Sequence, residues 1–242
     1  MGIYREELNI LTNSPEEAAV LSDFGNILSA GGTDVTIVPE IQRVKFLKNC
    51  YNCMLGPMCA LARNSMQEIF RKPADEHRPT ANGVSKHELT PAQQAVKEVP
   101  YSFPKVGEYT IPWMYEILDE VKNLGQTLYP DTDGLPGIAS DLPVSVIKAT
   151  AEMMVKPEST ERPSMLVDVE KGRPTEVEVV VGSLVKTARL RGVPMPVSHI
   201  FPAQGYAKTH AVSQRLETLY ALMLLIQENT LYEYRKKNTM AV

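Results

Sequence analysis

The sequence has no run of about 20 apolar residues, the length a membrane-spanning helix needs. The apolar stretch Leu222–Ile226 is short enough to read as core. Basic excess is missing too: 25 Lys and Arg stand against 29 Asp and Glu, giving a net charge of −4. Nucleic-acid binders show a basic face, so nucleic acid is not an expected partner. The amino terminus lacks the basic start and apolar run of a signal peptide, so a cytoplasmic protein with no membrane contact is expected. Cysteine is sparse, with only Cys50, Cys53 and Cys59. Cys50 and Cys53 form a C-x-x-C, but a zinc site would need a second ligand pair. His77, His87, His199 and His210 are scattered singly and supply none. A thioredoxin-like pair would open a helix after a strand, whereas this pair lies inside a long helical pattern. No metal is therefore expected, and the cysteines read as small buried residues of a reduced protein.

What is present is core material. The chain has 242 residues and is 43% hydrophobic, enough for one domain or two small ones. Residues 14–30 read as a helix, capped by Asn13 or Ser14, with Pro15 in the first turn and Gly31 at the end. The β-branched run Asp34–Val38 reads as a short strand. Helical patterns follow at about 40–63, with a break expected near Gly56-Pro57, and at 64–71, 111–127, 142–155, 175–192 and 212–234. Residues 72–110 are rich in Pro, Lys, Glu, His and Thr and read as a long loop or insertion.

The most informative stretch is EIQRVKFLKNCYNCML. Lys45, Lys48, Asn49 and Asn52 are spaced i, i+3, i+4 and i+7, so they share one helix face among apolar neighbours. Polar groups on a buried helix need partners, and a carbonyl or carboxylate ligand would supply them. The plainer reading is that both lysines reach water from an ordinary surface helix. A second motif lies in PSMLVDVEKGRPTEVEVVVG at 163–182. Here Ser164 reads as a cap for a helix over 165–170. Thr175 and Glu178 read as a capping box, which leaves Glu176 free.

Together, the Lys45-x-x-x-Asn49 pair and Ser164-Met165-x-x-Asp168…Gly172-Arg173-x-Thr175-Glu176 resemble the carboxy-terminal domain of ketopantoate reductases (2-dehydropantoate 2-reductases). The resemblance spans roughly residues 18–230 and is strongest at 28–62 and 160–200. It implies a mainly α fold, a helical domain of the 6-phosphogluconate dehydrogenase carboxy-terminal type, with a small amino-terminal α/β remnant. The expected division is a truncated α/β remnant over 1–38 and the helical domain over 39–242, with 72–110 inserted. It also implies that Lys45 and Glu176 are catalytic and that Asn49 and Ser164 contact substrate. Asp168 and Arg173 match the pattern but read as a structural ion pair or cap. The family repeats Asn four residues after the first. This chain has Cys53 there and Asn52 one residue earlier, about 100° around the helix, so a shifted substrate amide is expected at Asn52.

Ketopantoate reductases hold NADPH on a Gly-rich turn at a helix amino terminus. No G-x-G-x-x-G follows an apolar strand here. Gly31-Gly32 reads as a helix end and Gly134-Leu-Pro-Gly137 as a turn. The phosphate-binding half is expected to be missing, and with it the cofactor.

Three functions follow. The first is a cofactor-independent acid/base enzyme on a carbonyl or polycarbonyl substrate, catalysing an aldol- or Knoevenagel-type condensation, cyclisation or isomerisation, with natural-product biosynthesis as a setting. There Lys45, its pKa lowered in a closed apolar cleft, works with Glu176. The second is the carboxy-terminal part of an NADPH-dependent 2-dehydropantoate 2-reductase, the one case in which NADPH is the cofactor. The third is a non-catalytic helical module. A homodimer is expected from the apolar content of helices 111–127, 175–192 and 212–234.

Overall fold

The computed structural model describes residues 1–70, 89–101, 104–132, 134–155 and 161–193, together with Leu219 and Met223. These residues form a mainly α fold with no β-strand among them.

Helix α1 spans Pro15–Ala30. Ser14 Oγ accepts from the Glu17 N–H at 3.2 Å, and the Glu17 carboxylate accepts from the Ser14 N–H at 2.8 Å. This reciprocal cap, with Pro15 in the first turn, starts the helix where the sequence indicates. Gly32 ends it in the left-handed region at φ +83°, and the Thr33 N–H bonds Leu28 O at 3.1 Å. The expected strand over Asp34–Val38 does not form. Val38 N–H donates to Met1 O at 2.8 Å, and the Met1 amino group donates to Thr36 O. Two bonds to the first residue make no ladder, so β-branching alone does not yield a strand.

Helix α2, Ile41–Ala62, is the central element. It runs unbroken through Pro57, against the expected break. Every residue from Cys53 to Ala60 is buried, and that packing outweighs the backbone bond Pro57 cannot donate. Helix α3 is Met66–Phe70. Residues 71–88, 102 and 103 lie outside the described part, but the described residues of the expected 72–110 loop are largely helical. Thr90 and Gln93 form a capping box for α4, Pro91–Ala95. A π-helical turn, Val106–Thr110, then leads directly into α5, Ile111–Leu128. The T-P-A-Q cap was legible in the sequence, but the surrounding Pro and charge obscured it.

Helix α5 packs on α2 and on α6, Leu142–Met154. Its apolar residues Ile111, Met114, Ile117, Leu118, Val121 and Leu124 are in the core rather than at an interface, which removes one ground for the expected dimer. Helix α7, Ser164–Glu170, lies against α2, with Met165 over Gly56. Gly172 closes α7 at φ +64°, and Arg173 N–H donates to Asp168 O at 2.8 Å. The Arg173 and Asp168 side chains also pair at 2.6 Å, the structural role expected of them. The helix expected over 175–192 divides into a π-helical turn, Glu178–Gly182, and α8, Ser183–Arg191. Of the helix expected at 212–234, only Leu219 and Met223 are described; both are helical and fully buried, four residues apart.

The first residues are stapled to this body. The Arg43 guanidinium is held by Glu40 at 3.1 Å, by Asn9 Oδ1 at 3.1 Å and by the Pro136 carbonyl. Asn9 Nδ2 donates to Leu128 O at 3.1 Å. No described helix is long and apolar enough to cross a membrane.

Candidate functional site

Among the described residues, two depressions open against α2. The first, about 320 Å³, is walled by Tyr51, Asn52 and Gly56 of α2, by Arg162 and Ser164 at the start of α7, and by Glu176 before the second π-turn. The second, about 380 Å³, is lined by Lys45, Gln42 and Asn49 of α2, by Tyr4 of the amino-terminal segment, and by Thr187 and Arg191 of α8. Both volumes lie in the range of small-molecule sites, roughly 300–1,000 Å³. Asn49 Nδ2 donates to Val180 O at 2.9 Å, and this bond joins a residue lining the second depression to one lining the first.

The residues singled out in the sequence are thus sorted into two groups. Asn52, Ser164 and Glu176 come together; Lys45 and Asn49 lie in the other depression. Lys45 and Lys48 are both exposed, and Lys45 Nζ sits 5.9 Å from the Tyr4 ring centroid. The closed apolar cleft expected around Lys45 is not there, because the polar face of α2 turns outward at that level. Asn49 spends its amide donor on the Val180 backbone, which leaves its carbonyl oxygen for a ligand. Ser164 is the first residue of α7 rather than its cap; Pro163 occupies the cap position. The Ser164 hydroxyl is therefore not committed as that helix's cap. Glu176 is exposed, and its backbone carbonyl accepts the Val179 and Val180 N–H groups at 3.1 and 2.9 Å.

The first depression therefore offers a hydroxyl, an amide and a carboxylate. These can donate to a carbonyl or carboxylate and accept from a hydroxyl of the same ligand. Two wall residues were not anticipated. Tyr51 donates to Met66 Sδ at 3.4 Å, and burial, reinforced by the charge of Glu161, pushes its phenol up to about 12. Arg162 pairs with Glu170. Tyr51 adjoins Asn52 and Arg162 lies two residues before Ser164, and this nearness in the chain was the available signal.

The cysteines are buried and unpaired. Burial lifts the Cys50 and Cys59 thiols to about 12 and holds Cys53 well above the usual thiol range. Among the described residues no three His, Cys, Asp or Glu side chains are placed to hold a metal. Gly31-Gly32 ends α1 instead of opening a helix, so that pair is not a pyrophosphate cradle.

The comparisons with known proteins agree with this fold. The family described as ketopantoate reductase PanE/ApbA C terminal matches residues 106–203, a span that includes Ser164 and Glu176 but not α2. No curated protein matches the chain. Among solved structures, 2-dehydropantoate 2-reductase from Methylococcus capsulatus aligns at TM-score 0.53 and 18% identity, over 87% of this chain and 47% of that one. D-mandelate dehydrogenase, solved with NADH and anilino(oxo)acetate, aligns at 0.54 and 16%, over 90% and 64%. The dimeric ketopantoate reductase from Staphylococcus aureus aligns at 0.50 and 16%, over 88% and 52%. The chain spans about half the length of the two ketopantoate reductases, and at these identities the likeness is one of fold. Residues 106–203, with their helical architecture and their Ser164…Glu176 motif, are what match the ketopantoate reductase carboxy-terminal family.

Proposed function

We propose that this chain is the substrate-holding helical part of a ketopantoate-reductase-type oxidoreductase acting on a 2-oxo acid. The observation that carries the reading is the convergence of Asn52, Ser164 and Glu176, from three separate stretches of sequence, on one depression. Ser164 and Asn52 donate to the carbonyl or carboxylate, and Glu176 accepts from the hydroxyl of the reduced product. Lys45 and Asn49 act from the neighbouring depression, with Lys45 as the proton donor the family resemblance implies. The fold shared with a dehydrogenase that binds NADH and an oxo-acid analogue supports the substrate class. No hydride step is assigned to the residues described.

The cofactor-independent condensation or cyclisation reading has less support. It needs Lys45 and Glu176 in one enclosed cavity, whereas they line different depressions and both are exposed. The test is calorimetric titration of the chain with 2-dehydropantoate and with pantoate. Saturable binding is expected, weakened about tenfold or more in Ser164→Ala and Glu176→Gln, the loss typical of a hydrogen bond to a charged group. Absent binding, or binding indifferent to both substitutions, overturns the proposal.

A further inference from the structure

The first depression has a side that the proposed reaction leaves unused. Tyr51 and Asn52 are consecutive on α2, so they point about 100° apart around its axis. Asn52 shares a face with Asn49, which bonds the Val180 carbonyl beside Glu176. Tyr51 reaches the other way, to Met66 Sδ of α3. A thioether sulfur carries no hydrogen, so the phenol is the donor in that bond and its oxygen lone pairs remain for a ligand. Glu161 lines the same depression. Burial first, and then the charge of Glu161, hold the Tyr51 phenol at about 12, so the carboxylate is close and the hydroxyl keeps its proton. Glu161 is exposed and has no hydrogen bond or ion pair among the described residues. Arg162, the one cation among the described lining residues, is taken by Glu170. On this side a ligand therefore meets two acceptors, a phenol oxygen and a carboxylate.

We propose that the Tyr51 and Glu161 side of this depression is a subsite for an ammonium group at the far end of the substrate. The inference rests on the 2-oxo acid reading above and narrows it to a 2-oxo acid with a cationic tail. The tail nitrogen donates to the Glu161 carboxylate and to Tyr51 Oη, and the Tyr51 bond to Met66 stays in place. The carbon chain crosses the apolar floor of Leu55 and Met165, and the acid end meets Ser164 and Asn52. An ammonium fits better than an alcohol, because it brings three donors and a charge opposite to that of Glu161. A second carboxylate in the tail would face Glu161 and is disfavoured. Neither Tyr51 nor Glu161 takes part in the reduction itself.

The probes are 2-hydroxyhexanoate, 6-amino-2-hydroxyhexanoate and 2-hydroxyhexanedioate, titrated calorimetrically into the full chain at neutral pH. They share a 2-hydroxy acid head and a chain length and differ only in the tail. The amino ligand should bind about three- to tenfold more tightly than 2-hydroxyhexanoate, between the value of an exposed ion pair and that of a hydrogen bond to a charged group. The dianion should bind most weakly, and added salt should narrow both differences. Glu161→Gln should remove most of the amino preference and Tyr51→Phe part of it. Neither should change binding of 2-hydroxyhexanoate, which shows that the fold and the head site are intact. The inference is overturned if the amino and plain ligands bind alike, or if the preference survives both substitutions undiminished. With Ser164→Ala weakening all three ligands, such a result leaves the 2-oxo acid reading standing. A preference that depends on Glu161 but ignores Ser164→Ala keeps the tail subsite and sinks that reading. No binding of any probe sinks both.

Discussion

Asn49 Nδ2 donates to the Val180 carbonyl at 2.9 Å, tying the middle of α2 to the π-turn that precedes α8. The turn widens the backbone spiral just where the two depressions meet, and π-turns recur at functional positions. Replacing Asn49 with Leu removes the donor and should cost about 1–2 kcal/mol in denaturant unfolding. Asn49→Asp should be worse near neutral pH, because it sets a carboxylate against a carbonyl oxygen. A Leu variant as stable as wild type would show that the bond is incidental.

Gly125 on α5 faces Phe46 on α2. A Cβ at residue 125 would lie 2.5 Å from Phe46 Cε1 and 3.0 Å from Ile138 Cγ1. Phe46 is buried and tilted against Tyr129 at a centroid separation of 5.3 Å, so it cannot swing away freely. Gly125→Ala should therefore destabilise the fold by about 1–3 kcal/mol, despite the better helix propensity of Ala. Calorimetry giving an unchanged or higher Tm would contradict this packing.

The three thiols make a prediction about pH. Cys50 and Cys59 titrate at about 12 in the fold against about 9 when unfolded, and Cys53 is shifted the same way. The folded state thus binds more protons than the unfolded state between pH 9 and 12. Stability should fall as pH rises through that window, with no contribution from these groups below pH 9. At neutral pH a thiol reagent should label none of the three in the native protein and all three in denaturant. Rapid native labelling of Cys50 or Cys53 would revive a redox role for the C-x-x-C pair.

Much of this architecture was legible because local chemistry and packing agree. The Ser14 cap, the glycine end of α1 and the apolar spacing of α5 all act where the sequence places them. Asp34–Val38 was misread because β-branching describes one strand and says nothing of a partner. Pro57 was misread because its burial, a tertiary property, overrides its local cost. The site divides the same way. Helical spacing puts Lys45, Asn49 and Asn52 on one face, but the Asn49 contact with α8's π-turn assigns them to different depressions.

A second copy of the chain is expected to cover α1. Val20, Phe24 and Ile27 are 62%, 54% and 68% exposed and form one stripe at i, i+4 and i+7. Contiguous exposed apolar surface of this kind marks interfaces, and a two-fold axis would pair the stripe with itself. Light scattering should report a dimer that Phe24→Glu converts to monomer. A wild-type monomer across the accessible concentration range would remove this expectation.

Lys45 carries the sharpest prediction about chemistry. It is exposed and lines the other depression from Ser164 and Glu176, so the proposed proton transfer requires its side chain to leave the Tyr4 ring. With the reaction reconstituted on a 2-oxo acid, Lys45→Ala should lower turnover about 10²–10⁴-fold, the range for a general acid. Glu176→Gln should cost less, and if it holds a hydroxyl as proposed, more of its loss should appear in KM than in kcat. Lys45→Arg separates the two ways a lysine can act. Arginine keeps the charge but does not give up a proton near neutral pH. If Lys45 delivers the proton, Arg fails almost as badly as Ala; if it only stabilises the forming alkoxide, Arg retains much of the rate. Wild-type turnover in all three variants would mean that the family motif persists here as scaffold alone.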